Sequence, residues 1–285
     1  MTWKLIETLI NKKNNNRSSI SKLINNNNCY TDKISICNQL NSHFINIGPN
    51  LAEKIQTQDN TDPIKYITHS LPNSFMFRAI HEHEVKDLIM ALDLSKSTIG
   101  IPSRCIKLAC NNISEALTCV YNQSLIQGIV PEALKISKVT PVDKGGEVFD
   151  PFNYRPISTR SCFTQVFEKL VYKQLLNHVK KYSILYQYQF GFQKGKSTEQ
   201  AILEITDNLK NAIDNNLFTF GVFLDFAKAF DTVNHMVLLA KLEKYGVRGI
   251  PLQWFTSYLT NRQQYVSLGN VQSTNQNAVF LKVVH

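Results

Sequence analysis

Asp225 closes a nearly continuous apolar run, Phe218 to Leu224, and is followed by Phe226-Ala227-Lys228-Ala229-Phe230-Asp231-Thr232-Val233-Asn234-His235. An apolar run of that length predicts a buried central strand, which delivers a carboxylate to its tip. A charge in such a place is costly unless it is paired or binds a metal, so Asp225 is a candidate magnesium ligand. The competing reading is a carboxylate that caps the next turn, and spacing alone does not decide between them. Two-metal phosphoryl transfer needs at least two carboxylates to hold ions about 3.5–4 Å apart. Asp231 is not assigned as the second, because it precedes Thr232 and a helical run, where its oxygen is expected to cap free backbone N–H groups.

Other polar groups carry less. His81 and His83 alternate with Glu82 and Glu84 near a helix start. No third ligand is apparent, so solvated first-turn residues are the better reading. The six cysteines, Cys29, Cys37, Cys105, Cys110, Cys119 and Cys162, form no Cys-x-x-Cys pair and have no His at zinc-finger spacing. Reduced thiols are expected. The Asn-rich runs Asn14 to Asn16 and Asn25 to Asn28, with Lys12, Lys13 and Arg17, cannot bury a core and are read as a solvated linker without a site.

These candidates must be positioned by a chain of 285 residues, 43% of them hydrophobic, which is enough for one large or two ordinary domains. Lys and Arg number 31 against 22 Asp and Glu, a net charge of +9, which favours a polyanionic partner such as nucleic acid or an acidic membrane surface. The N-terminus lacks an apolar run of signal-peptide length, and no run of about 18 apolar residues occurs anywhere. An intracellular, soluble protein is expected.

Order is expected to strengthen from Thr31, with Ile36, Leu40, Phe44 and Ile47 on one helix face and Gly48-Pro49 ending it. A second helix is predicted over His81 to Leu94, with Val85, Leu88, Ile89 and Leu92 inward, and further helices from Pro102 to Gly128. Lys135 to Val142 alternates like an exposed strand, and Lys144-Gly145-Gly146-Glu147 supplies the turn of a hairpin. Helices follow over Thr164 to Lys181 and after the capping-box pattern Ser197-Thr198-Glu199-Gln200, the latter carrying Ile202, Ile205, Leu209 and Ile213. Beyond Asp225, helices over Asn234 to Tyr245 and Pro251 to Leu259 lead to a strand over Gln264 to Leu268.

Three segments in order, Asn153-Tyr154-Arg155-Pro156-Ile157-Ser158, then Gln189-Phe190-Gly191-Phe192 with Lys196-Ser197-Thr198, then Leu224-Asp225 through His235, resemble the reverse transcriptase domain of non-LTR (LINE-type) retrotransposons. Tyr245-Gly246-Val247-Arg248-Gly249, Trp254-Phe255 and Asn261-Arg262-Gln263 extend the likeness, which reaches back through Gly128-Ile129-Val130-Pro131 almost to Trp3.

The resemblance implies an α/β fold of the right-hand polymerase type. It comprises a poorly ordered linker over 1–30, a helical N-terminal extension over 31–130, and a truncated domain of fingers and partial palm over 131–285. It implies template-directed DNA synthesis, with an RNA template, a DNA primer, dNTP and Mg2+ as partners. By position, Asp225 matches the family's first catalytic aspartate and metal ligand, and the Phe226 carbonyl helps hold one ion. Phe230 matches the residue that packs under the incoming sugar and excludes a ribose 2′-hydroxyl. Arg155 matches the fingers arginine on the triphosphate, a task suited to a planar, permanently charged fork. Lys144 matches a fingers-hairpin lysine near the phosphates, and Lys194 and Lys196 are the candidate nucleic-acid contacts.

There are departures from the family pattern. Gln193 stands where arginine is usual, Asp143 where a basic or neutral residue is usual, and Ser97 to Pro102 is altered against Gly-x-Asp-x-Ile-Pro. After Asp231 the only acidic residue is Glu243, and neither a Gly-Val-Pro-Gln-Gly segment nor an Asp-Asp pair occurs. The expectation is therefore a fragment, without an upstream endonuclease or thumb, that does not polymerise alone. The alternative function is a non-catalytic nucleic-acid-binding remnant.

Overall fold

The computed structural model describes residues 20–25, 28–53, 63–66, 70–226 and 228–278. In chain order the elements are β1 (Leu23–Asn25), β2 (Asn28–Tyr30), α1 (Lys33–Ala52), α2 (Glu82–Met90), α3 (Ser103–Leu108), α4 (Cys110–Gln127), β3 (Ile136–Asp143) and β4 (Tyr154–Thr159). They continue with α5 (Cys162–Lys181), α6 (Thr198–Asp214), α7 (His235–Lys244), α8 (Ile250–Leu259), β5 (Arg262–Leu268), β6 (Val271–Gln272) and β7 (Gln276–Ala278). The architecture is mixed α/β. No helix among the described residues is long and apolar enough to cross a membrane.

Order begins before Thr31. The tracts Asn14 to Asn16 and most of the expected linker lie outside the described residues, but Ile20 and Leu23 are buried, and β1 pairs with β2 as a short antiparallel hairpin. An apolar side chain on a polar tract can still be captured by a neighbouring core. Helix α1 buries Ile36, Leu40, Phe44 and Ile47 as predicted, and it runs through Gly48-Pro49 to Ala52 rather than stopping there. Pro49 lies inside the helix, in its last turn, and forfeits the bond that a backbone N–H there would make one turn back.

The sheet has the order β4-β3-β5-β6, with β7 also on β5. Strand β3 pairs antiparallel with β4 and parallel with β5. Lys135 to Val142 was expected to be an exposed strand, but β3 is interior and its Val139 is fully buried. Alternation shows which face of a strand is apolar, and it says nothing about how many partners the ladder has. Val139, Tyr154 and Val266 of this sheet pack with α1 and β1 in one core. A second core joins α2, α4, α5 and α8 around Val85, Tyr121, Phe167 and Trp254. At its centre the Trp254 indole N–H donates to the Ser124 hydroxyl at 3.0 Å, both groups being buried.

The predicted strand over Phe218 to Leu224 is not formed. The segment carries no strand pairing, and Phe218, Phe220, Phe223 and Leu224 are exposed. Helix α6 has the expected capping box at Ser197, yet Ile202, Ile205, Leu209 and Ile213 also face outward. An apolar run becomes a buried strand only when a neighbour completes its ladder and layers cover both faces, and no described strand lies beside this one.

Candidate nucleotide site

The site is built on the hairpin of β3 and β4. Val142 faces Arg155 and Asp143 faces Tyr154 in its last register positions. Asp143, which departs from the family pattern, organises the turn: its Oδ1 accepts from the Gly145 N–H at 2.7 Å and from the Asn153 side-chain amide at 2.8 Å. A side chain at Gly146 would have to displace the Asn153 amide, whose Oδ1 would lie 2.8 Å from an added Cβ. The carboxylate therefore consumes its charge on the loop's own donors. At the other end of the loop, Asp150 Oδ1 accepts from the Phe152 N–H at 2.8 Å.

Lys144 leaves this turn with its ammonium donating to the Phe152 carbonyl at 2.9 Å. Partial shielding, then the positive charges of Lys228 and Arg155, hold that ammonium below the ordinary lysine range, and Asp150 acts in the opposite sense. The charges that act on the Lys144 ammonium thus come from Arg155 on the hairpin and from Lys228 in the loop after Asp225. Lys144 and Arg155, both assigned from the sequence, lie at the same end of the hairpin, where Val142 faces Arg155 two residues before Lys144.

From Lys228 to Asn234 the loop is held by its own backbone. Lys228 has φ 54°, the left-handed region, and its carbonyl accepts from the Asp231 N–H at 2.8 Å and from the Thr232 hydroxyl at 3.3 Å. Asp231 was expected to cap the following helix. Asn234 does so instead, its Oδ1 accepting from the N–H groups of Met236 and Val237. The cap must directly precede the first turn, and α7 begins at His235.

Asp225 and Phe226 lie exposed at the start of this loop. A carboxylate and a main-chain carbonyl are hard oxygen donors of the kind magnesium takes, so the residues present fit one end of such a site. Among the described residues no three His, Cys, Asp or Glu side chains come together. Phe230 is partly exposed and its ring meets Phe192 at 5.6 Å. Lys194 is exposed, whereas the Lys196 ammonium is tied to the Gln187 carbonyl and lies 5.0 Å over the Phe190 ring. Gln193 donates to the Gln189 carbonyl at 2.8 Å, a local bond within the Gln-Phe-Gly-Phe turn.

The hairpin carries two cations, Lys144 and Arg155, and Phe230 of the loop after Asp225 meets Phe192 of the aromatic turn. Residues 142–283 match the family model described as reverse transcriptase (RNA-dependent DNA polymerase). The chain is 29% identical over 227 residues to the probable RNA-directed DNA polymerase from transposon BS of Drosophila melanogaster, covering 76% of this chain and 24% of that protein. It is 27% identical over 216 residues to the RNA-directed DNA polymerase from mobile element jockey of the same fly, covering 74% and 23%. A polyprotein of the type-1 retrotransposable element R1 from Bradysia coprophila is 27% identical over 215 residues, covering 74% and 20%. The chain belongs to the reverse transcriptases of non-LTR retrotransposons. It spans about a quarter of the length of the first two of these relatives.

Proposed function

We propose that these residues form the nucleotide-handling part of an RNA-directed DNA polymerase, with fingers beginning near Pro131 and part of a palm after them. The observation that carries this reading is that Lys144 and Arg155 sit at the same end of one hairpin and that a charge from the loop after Asp225, that of Lys228, acts on Lys144. Arg155 and Lys144 neutralise the phosphates of an incoming dNTP, the guanidinium by a two-pronged grip and the ammonium as a point charge. Phe230 supports the sugar and leaves no room for a 2′-hydroxyl. Asp225, with the Phe226 carbonyl, holds Mg2+, which when bound screens the phosphate charge. Lys194 and Lys196 contact the backbone of the RNA template and DNA primer.

Asp225 is the only carboxylate we assign to the metal, and one carboxylate does not hold two ions. These 285 residues on their own therefore bind substrates without joining them. Purified chain given a primed RNA template, dNTPs and Mg2+ should bind the nucleic acid in a salt-sensitive way and leave the primer unextended. Primer extension that Asp225→Ala abolishes would overturn the inactivity, and a flat salt response would count against nucleic-acid binding.

A further inference from the structure

We infer that the chain pairs with a second copy of itself through the segment Phe218 to Leu224, the two segments running antiparallel about a twofold axis at Gly221. This is independent of the nucleotide-site reading above.

The first observation is area. Phe218, Phe220 and Phe223 are each at least 90% exposed, and Val222 and Leu224 between and after them are exposed as well. Helix α6 leads into the segment through Leu217, whose N–H donates to the Ala212 carbonyl at 2.8 Å, and it turns Ile202, Ile205, Leu209 and Ile213 outward. A Phe side chain buries about 150–250 Å² in a contact, so the three rings alone offer about 600 Å². The largest apolar patch of an ordinary monomer is about 300–600 Å². With Val222, Leu224 and the α6 isoleucines added, the surface reaches the roughly 800 Å² per partner of a stable interface.

The second observation is that the segment complements itself. It contains no charge and no proline, and among the described residues none of its backbone N–H groups bonds a carbonyl. A row of free main-chain groups with neither charge, proline nor a covering element to block it is a template for pairing with another chain. In the twofold register Phe220 of each copy lies opposite Val222 of the other, and Phe218 lies opposite Leu224. Aromatic and β-branched residues directly opposite each other are favourable pairs. Alternate residues share a face, so Phe218, Phe220, Val222 and Leu224 of both copies make one continuous apolar surface. The first charge after the segment, Asp225, falls opposite Leu217, so no like charges meet. A contact that uses the same patch on both copies closes at two chains.

The test is analytical sedimentation of the full 285-residue chain from nanomolar to high micromolar concentration. The expected mass at the upper end is twice the 32.6 kDa of one chain. Phe220→Lys sets two ammonium groups beside the axis and should give single chains that melt like the unaltered protein. Leu108→Lys, at an exposed position of α3, should remain dimeric. Gly221→Cys, with the exposed Cys29, Cys105 and Cys119 changed to Ser, should form a disulfide between copies under mild oxidation. Residues directly opposite in an antiparallel pair have Cα atoms about 4.5–5.5 Å apart, within disulfide reach. Leu108→Cys in the same background should stay unlinked. A single-chain mass at every concentration overturns the inference and leaves the apolar face to a different chain. Growth past two chains overturns the closed twofold contact. A dimer that survives Phe220→Lys, or a Gly221→Cys chain that stays unlinked, places the interface elsewhere and overturns it too. Binding of dTTP is a separate measurement, so failure here leaves the nucleotide site standing.

Discussion

The ring of Phe230 meets that of Phe192 edge to face, with centroids 5.6 Å apart and planes at 88°. The loop after Asp225 is thereby braced on the Gln-Phe-Gly-Phe turn, two segments that the chain separates by a whole helix, α6. Phe192 itself stands at φ 60°, so its ring is delivered by a left-handed backbone. A ring fixed from one side is a firm wall for a sugar on the other. Phe230→Ala should raise affinity for UTP relative to dTTP by about tenfold, the scale of one steric contact in a pocket. Competition between the two nucleotides measures the ratio, and an unchanged ratio would remove Phe230 from the sugar site.

Gly246 carries the junction between α7 and the segment before α2. It has φ 93°, its carbonyl accepts from the Phe75 N–H at 2.8 Å, and an added Cβ would lie 2.3 Å from the Asn73 carbonyl oxygen. Gly246→Ala should destabilise the fold by at least about 2 kcal/mol, combining backbone strain with a clash against main chain that cannot swing away. Gly100→Ala, with φ 71° and open space around its Cβ, isolates the strain alone and should cost about 1 kcal/mol. Chemical denaturation of both variants checks the order.

Helix α1 is fastened to the sheet by a buried amide pair. Asn41 donates to the carbonyls of Gln264 at 3.3 Å and Thr274 at 3.1 Å, and its own oxygen accepts from the Gln264 side chain at 2.9 Å. Asn41→Ala leaves the buried Gln264 amide without that acceptor and should cost about 2 kcal/mol. The double variant Asn41→Leu with Gln264→Leu should recover most of it. A double variant no more stable than Asn41→Ala would show that the pair is not the source of the loss.

The pair Arg78 and Glu84 gives a pH signature. The Arg78 guanidinium, followed by the His81 backbone N–H, holds the Glu84 carboxyl down to about 2, against burial that acts upward. Because the folded value lies below the ordinary 4.5, the stabilisation is complete above pH 4.5 and is lost as pH falls through about 2. Glu84→Gln should lower Tm at pH 7, and the difference should shrink steadily below pH 4.5. A gap that stays constant down to pH 2.5 would contradict the ion pair.

Periodicity made the helices legible. The inward faces of α2 and α5 and the capping box of α6 follow from spacing, because a helix satisfies its hydrogen bonds locally. Partners across the chain were not legible. Parallel pairing of Ile136 with Gln263, and the bond from Trp254 to Ser124, depend on which surfaces meet and leave no local mark. The run Phe218 to Leu224 misled for the same reason, since its apolarity implied a strand while saying nothing about a ladder partner. At the site, motif order pointed to Lys144, Arg155 and Asp225. Asn234 replaced Asp231 as the cap because helix starts are marked only to within a few residues.

The central claim, that Lys144, Arg155 and the Asp225 loop share one nucleotide, is tested most directly by paramagnetic broadening with dTTP and Mn2+. Backbone amide signals of Lys144, Arg155, Asp225, Phe226 and Lys228 should broaden together at substoichiometric metal, and far less when dTTP is omitted. Asp225→Asn should abolish the effect at the loop while dTTP alone still shifts Lys144 and Arg155. Broadening confined to His81 and His83, or equal with and without dTTP, would contradict the account.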